Sequence, residues 1–197
     1  MTAQGQESPL VLLSGHTETT QLGRGGFQEL RQAEMAAPVS KASWTAASAE
    51  TLGADIAKAV RIATSGRPGP VHLSLPSDLL DAEVADNAAV WPESGDFAAA
   101  PVALGDAAAD AVLGIIATAA RPLIIAGPQL ANRQGRALLA RLETTLRVPT
   151  CIMESPRGFN DATLGAFNDL IRLVDLIVLL GKAFVFTLKF AEAPWID

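Results

Sequence analysis

The sequence predicts an α/β protein built on parallel sheets, and three features of the chain lead to this prediction. Short, continuous apolar segments typical of buried parallel strands alternate with amphipathic segments of helical period. Hydrophobic residues make up 49% of the 197 residues and aromatics only 5%, which favours a closely packed core of alanine, leucine and valine. An acidic, proline-containing segment separates two such regions, and we predict one unit at residues 1–84, a linker at 85–101 and a second unit at 102–197.

Charge and cysteine content exclude several classes of protein. The formal charge of −6 and a pI near 4.9 argue against a nucleic-acid partner, because such proteins usually carry a basic stripe. The single cysteine, Cys151, excludes an internal disulfide framework and lies in an apolar run, which predicts a small core residue. The apolar runs at 10–13 and 176–186 are shorter than the ~20 residues that span a bilayer, so we expect a soluble, cytoplasmic protein without a membrane partner.

The first predicted strand leads directly into a candidate site. The apolar run Leu10–Leu13 ends at Ser14-Gly15-His16, and open α/β sheets bind ligands at the carboxyl ends of their strands. The loop that follows, residues 16–26, is therefore a candidate binding loop. It contains three glycines, but their spacing is not that of a dinucleotide-binding or P-loop motif.

Two helices and a second strand follow in the first unit. The segment FQELRQAEM at residues 27–35 could form two helical turns before Pro38, and residues 47–64 carry the clearest apolar helical stripe. The next segment, SGRPGPVHLSLP at residues 65–76, begins with a turn in which two prolines and two glycines prevent a helix. The alternation within Val71–Leu75 then predicts a strand with one apolar face.

The second unit alternates regularly between helix and strand, which indicates a Rossmann-like parallel sheet with right-handed crossovers. Its three predicted helices and three predicted strands are, in chain order, helix 106–119, strand 122–126, helix 135–146, strand 150–153, helix 164–173 and strand 175–180.

Ordered motifs in both units resemble one enzyme family. LVLLSGH, GRGGFQE, PVSK and SGRPGPVHLSLPSD, in this order, resemble the later part of the pyrimidine-binding domain of thiamine-diphosphate-dependent enzymes of the acetolactate synthase type. RPLIIAG, VPT and VDLIVLLGK resemble the central domain of the same enzymes. The resemblance implies a partial pyrimidine-binding domain followed by most of a Rossmann-like central domain.

The resemblance also implies a function. In this family a cofactor enamine, formed on thiamine diphosphate held with Mg²⁺, allows a transferase or lyase to decarboxylate or ligate 2-oxo acids, in a homodimer or homotetramer. We expect this chain to be a fragment, because the family's activating glutamate and its metal-binding motif have no counterpart in it. The chain alone is then expected to be inactive and to contain no catalytic residue or metal ligand.

The resemblance assigns a few site residues. Phe27 and Gln28 match residues that line the substrate pocket of acetolactate synthases, although a core aromatic and a surface amide are the alternative interpretation. Gly15 and His16 match a Gly-Gln pair at the cofactor, so His16 is a departure from the family. Gly127 is what is left of the glycine cluster with which some relatives bind FAD. The alternative function is a non-catalytic module that binds a nucleotide such as FAD or ADP.

The motif PSD contains a second departure. Acetolactate synthases usually have a lysine beside the substrate channel at the position of Ser77. Without this cation, the resemblance implies weaker electrostatic steering of an anionic 2-oxo acid.

Overall fold

The computed structural model describes residues 1–100, 102–154 and 157–192. They form two compact units, Met1–Val102 and Ala103–Asp197. Each unit contains a three-stranded sheet in which all strands are parallel, which confirms the predicted α/β class. Among these described residues, no helix is long and apolar enough to cross a bilayer.

The strands and α-helices share the alternation predicted from the sequence. The strands are β1 (Leu10–His16), β2 (Ala42–Thr45), β3 (Pro70–Pro76), β4 (Pro122–Ala126), β5 (Thr150–Ile152) and β6 (Leu176–Leu180). The helices in the described ranges are α1 (Thr2–Gly5), α2 (Gln32–Ala36), α3 (Leu52–Thr64), α4 (Ser77–Asp81), α5 (Asp106–Thr118), α6 (Arg133–Leu146) and α7 (Phe167–Ile171).

In the first unit, β3 is the central strand and pairs with β1 on one side and β2 on the other. Its side chains are almost entirely buried, as expected for a strand covered on both faces. Val71 packs with Ala59 and Ala63 of α3, and these small side chains let the helix lie close to the sheet. The predicted strand at 71–75 is thus confirmed, whereas β2 was not predicted from the sequence.

Helix α3 is shorter than predicted and has a partner that the sequence did not reveal. It begins at Leu52 instead of Ala47 and ends at Thr64, before Gly66 adopts a positive φ of 57°. The Lys41 ammonium donates to the carbonyls of Ile62 (2.5 Å) and Ser65 (2.6 Å) at the helix end. A cation at this end also complements the helix dipole.

The N-terminal residues are tied to the same sheet. Residues Thr2–Gly5 form one helical turn, and the Glu7 carboxylate accepts a hydrogen bond from the Arg67 Nε at 2.9 Å. Glu7 is only 7% exposed, so this ion pair is partly desolvated. It holds the segment before β1 against the turn that precedes β3.

In the second unit, β4 is central and both of its faces are covered. Leu123 and Ile125 contribute to one apolar cluster, with Met153 and Phe159, while Ile124 contributes to a second cluster on the other face. Cys151 is half-buried against the first cluster, as predicted, and burial raises the pKa of its thiol. Helix α7 is shorter than the helix predicted at 164–173.

The loop after β4 makes a very close contact with the loop after β6. The Gly127 amide donates to the Leu180 carbonyl at 2.9 Å, and a Cβ on Gly127 would lie 1.9 Å from the Gly181 carbonyl oxygen. No side chain fits there unless the backbone moves, because the nearest atoms belong to the backbone of Gly181 and Lys182. Gly181 itself adopts a positive φ of 67°. Packing alone therefore accounts for the glycine at this position.

This contact predicts a large cost for Gly127→Ala. We expect the free energy of unfolding to fall by about 3 kcal/mol, since overpacking against rigid backbone strains the sheet. Gly114→Ala is the matched control: Gly114 lies inside α5 with open space around it, and the same change should stabilise the chain by up to about 1 kcal/mol. Urea unfolding of both variants measures the difference, and equal stabilities would contradict the contact.

Candidate functional site

The carboxyl ends of the strands in the first unit lie at one edge of the sheet. His16 at the end of β1 is in register with Pro76, and Thr45 at the end of β2 is in register with Ser74. Parallel strands place ligand sites at this edge because the loops that follow them converge there. The candidate binding loop predicted after β1 thus follows the observed end of the strand.

A cleft of about 170 Å³ opens beside these strand ends. It is bounded by the ends of β1 and β2, by the loop after β1 and by the start of α2. The residues that line it are His16, Leu22, Glu29, Leu30, Arg31, Gln32, Ala33, Glu34 and Thr45.

A buried histidine links all three strands behind the cleft. His72 of β3 is 4% exposed, and its Nε2 lies 2.7 Å from the Ser14 hydroxyl of β1 while its Nδ1 lies 2.8 Å from the Ser43 hydroxyl of β2. The Ser14 hydroxyl also donates to Gln32 Oε1 at 2.5 Å, and Gln32 Nε2 donates to the Gly15 carbonyl at 2.9 Å. This chain of hydrogen bonds ties α2 to the strand end.

The hydrogen bonds and the burial of the ring together indicate its state. Because Ser14 donates its proton to Gln32, it accepts from His72 Nε2–H. Burial lowers the pKa of His72, so at pH 7 the ring is neutral and its Nδ1 accepts from the Ser43 hydroxyl. The alternating pattern of β3 predicted that residue 72 would lie opposite the apolar face, but nothing in the sequence indicated its partners.

The loop after β1 is held in its conformation by the carboxylate of Glu29, which lies at the end of the same loop. Glu29 accepts hydrogen bonds from the backbone amides of Gly23, Gly25 (2.6 Å) and Gly26 (3.0 Å). These bonds lower the pKa of the Glu29 carboxyl group and keep it ionised. The segment at 27–31 is consequently a turn and not the predicted helix, with Gln28 at a φ of 63°.

A second carboxylate fixes the beginning of the same loop. Asp78, in α4, accepts from the Thr19 amide at 3.0 Å and from the Thr19 hydroxyl at 2.5 Å, and these bonds lower its pKa. The motif PSD thus has a visible structural role through its aspartate. The sequence signals that could have revealed both contacts are an acid three residues after a glycine cluster and an acid two residues after a strand.

The structure places the predicted site residues in different settings. Phe27 is 84% exposed at the tip of the loop, followed by Gln28, and neither lines the cleft. Gly15 has open space where a Cβ would lie. His16 lines the cleft and is 8% exposed, and its buried Nδ1 has no hydrogen-bond partner in the described part of the chain. Gly127 lies in the second unit, and its amide is already used by Leu180.

The neutral state of His72 predicts a pH dependence of stability. Its pKa is lowered in the folded chain, so the unfolded chain takes up the proton first as the pH falls below the ordinary value of 6.5. The contribution of neutral His72 to stability should be fully present above that pH. Below it, the free energy of unfolding should decrease by up to about 1.4 kcal/mol per pH unit. Urea unfolding between pH 7.5 and 5.5 measures this, and His72→Gln should flatten the slope. Equal slopes for the two proteins would refute the assignment.

The three bonds to Glu29 predict the mobility of the loop. In Glu29→Ala the amides of Gly25 and Gly26 lose their acceptor, and we expect their hydrogen exchange to accelerate about tenfold or more. Glu18→Ala is the control, since Glu18 accepts from the side chain of Gln21 and not from the glycines. Amide exchange followed by NMR measures both variants, and unchanged glycine rates in Glu29→Ala would disprove the contact.

Comparison with known proteins identifies relatives along most of the chain. No protein-family model matches it. It is 28% identical over 198 residues to oxalyl-CoA decarboxylase of Escherichia coli K12, covering 95% of this chain and 35% of that protein. It is 32% identical over 156 residues to an acetolactate synthase large subunit of Mycobacterium tuberculosis, covering 79% and 28%. It is 26% identical over 207 residues to 2-hydroxyacyl-CoA lyase 1 of Dictyostelium discoideum, covering 98% and 35%.

The chain spans about a third of the length of these curated relatives. The matches confirm the resemblance that the ordered motifs indicated. The chain is homologous to a segment of the enzyme family that contains acetolactate synthases, oxalyl-CoA decarboxylase and 2-hydroxyacyl-CoA lyase.

Proposed function

We propose that this chain is part of a thiamine-diphosphate-dependent enzyme that cleaves or forms a carbon–carbon bond next to a carbonyl group, as a lyase or transferase. The observation that carries the proposal is the similarity of nearly the whole chain to a decarboxylase, a synthase and a lyase. The substrate class that unites their names with the motifs is a 2-oxo acid or a similar carbonyl compound. When bound, thiamine diphosphate supplies the nucleophilic carbon for this chemistry.

Residues at the end of β1 fit one side of a cofactor site. Gly15 leaves open space at the strand end, and His16 presents a buried nitrogen without a partner in the described residues. We propose that these two residues face the cofactor. Gly127 is a weaker candidate, since its amide donates to Leu180 and could contribute only van der Waals contact. This also argues against binding of an FAD phosphate there.

The metal is a different matter. Within the ranges that the structure describes, no three residues of the histidine, cysteine, aspartate and glutamate types are grouped so that they could hold an ion. We therefore assign the described residues no step that involves the metal.

The loop at 23–29 is proposed to present the substrate-binding residues. Phe27 projects an exposed aromatic ring and Gln28 an amide with both donor and acceptor, which suit the apolar and polar parts of a small carbonyl substrate. Glu29 positions them by fixing the glycines just before them. In a homodimer or homotetramer, we propose that the exposed ring faces the cofactor-bearing domain of another subunit.

The experiment compares this 197-residue chain with a three-domain version extended by its flanking sequence. With thiamine diphosphate and Mg²⁺, the extended version should release CO₂ from pyruvate or oxalyl-CoA, whereas the chain alone should not. Phe27→Ala and Gln28→Ala in the extended version should lower kcat/KM by about tenfold or more. Leu80→Ala, an exposed apolar side chain in α4, is the control.

A lack of activity in the extended version would contradict the proposal. If a folded extended version acts on neither compound, the proposal is wrong. Calorimetry of the short chain with ADP, FAD and NAD then tests the alternative, a nucleotide-binding module, which should bind without further domains.

A further inference from the structure

Asp78 does not line the cleft, yet it is bonded to the loop that carries Phe27 and Gln28, the loop tip. It lies in α4, in the connection that follows β3, whereas the loop follows the neighbouring strand β1. Its two carboxylate oxygens accept from the amide (3.0 Å) and from the hydroxyl (2.5 Å) of Thr19. Hydrogen bonds to an ionised group are roughly twice as strong as neutral ones, so this pair ties the start of the loop to the connection after β3.

The restraint on Thr19 extends to the next turn of the loop. Thr19–Gln21 form a single 3₁₀ turn. The Gln21 side chain reaches back to Thr17, whose hydroxyl lies 3.4 Å from Gln21 Oε1 and which is only 6% exposed. Because Thr19 is bonded to Asp78, the turn and the buried Thr17 together form one fixed surface.

Gly26 packs against that surface, directly before the loop tip. A Cβ on Gly26 would lie 2.7 Å from Thr17 Oγ1 and 2.9 Å from Gln21 Cβ, so the bare backbone of Gly26 is in close contact with both residues. Closely packed groups do not shift independently of one another. A displacement of the turn at Thr19 would therefore displace Gly26 and the loop tip that follows it.

We propose that Asp78 is a positioning residue of the site: through Thr19 and Gly26 it holds the loop tip at the place where the tip meets the substrate. This inference rests on the proposed function, because it takes Phe27 and Gln28 as substrate-binding residues. A residue that only stabilises the fold would act independently of the loop tip, whereas a positioning residue loses its effect when the tip is removed. Loss of the Asp78 carboxylate should therefore weaken substrate binding and leave the chemical step unchanged.

The coupling is tested first in the 197-residue chain, by amide exchange followed by NMR. In Asp78→Ala, Thr19 loses both acceptor oxygens, and we expect the amide of Gly26 to exchange about fivefold or more faster. Asp78→Asn, which keeps one oxygen for the Thr19 amide and a side chain of the same shape, should give a smaller increase. Asp81→Ala removes an exposed acid at the other end of α4 and is the matched control, with no change expected. Unchanged exchange of Gly26 in Asp78→Ala would overturn the proposal.

Kinetics of the three-domain version test the effect on the substrate. Asp78→Ala should raise KM about tenfold and change kcat by less than about twofold, while Asp81→Ala should change neither. In a background that carries Phe27→Ala and Gln28→Ala, Asp78→Ala should lower kcat/KM by less than about twofold more. A fall in kcat at constant KM, or the same cost with and without the loop tip, would overturn the proposal and leave the proposed function intact. A three-domain version without activity would overturn the proposed function, and this role with it, even where Asp78→Ala releases Gly26 in the short chain.

Discussion

The hydrogen bonds of His72 hold the first unit together at its centre. The ring lies on the middle strand of a three-stranded sheet and reaches a serine on each neighbouring strand. Parallel strands cannot be joined by short hairpins, so their alignment depends on such cross-strand contacts in addition to the backbone. Through Ser14 and Gln32 the same network extends to the carbonyl of Gly15, one residue before the cleft. The buried ring of His72 is thus linked by hydrogen bonds to the edge of the candidate site.

The second unit depends on apolar packing instead of a polar network. Its central strand contributes Leu123 and Ile125 to one face and Ile124 to the other, and both faces are buried. The close contact of Gly127 with Gly181 joins two loops at the end of this sheet. A glycine that a family resemblance relates to a cofactor here has a sufficient explanation in packing. Resemblance and packing can therefore favour the same residue for different reasons.

The regular elements were largely predictable from the sequence, because the spacing of hydrophobic residues along the chain distinguishes a helix from a strand. The strands at 122–126 and 71–75 and the clear apolar stripe of α3 are examples. The helix predicted at 27–35 was mostly wrong, since the three amides that bond Glu29 outweigh a weak helical pattern. The strand β2 was missed because four residues give too short a pattern to recognise. One side of the cleft, with His16 and Leu22, lies in the loop predicted as a candidate site. The contributions of Thr45 and of residues 29–34 were not predicted, since they come from separate elements.

The hydrogen bonds of Glu29 also have a consequence for ligand selectivity. The amides of a glycine-rich loop can form an anion-binding concavity, and phosphate groups commonly occupy it. Here a carboxylate belonging to the loop itself occupies three such amides. The effective concentration of a tethered group is high, in the millimolar range or above. A free phosphate would therefore have to compete with the Glu29 carboxylate for these amides. These three amides are therefore not free to bind a phosphate group while Glu29 holds them.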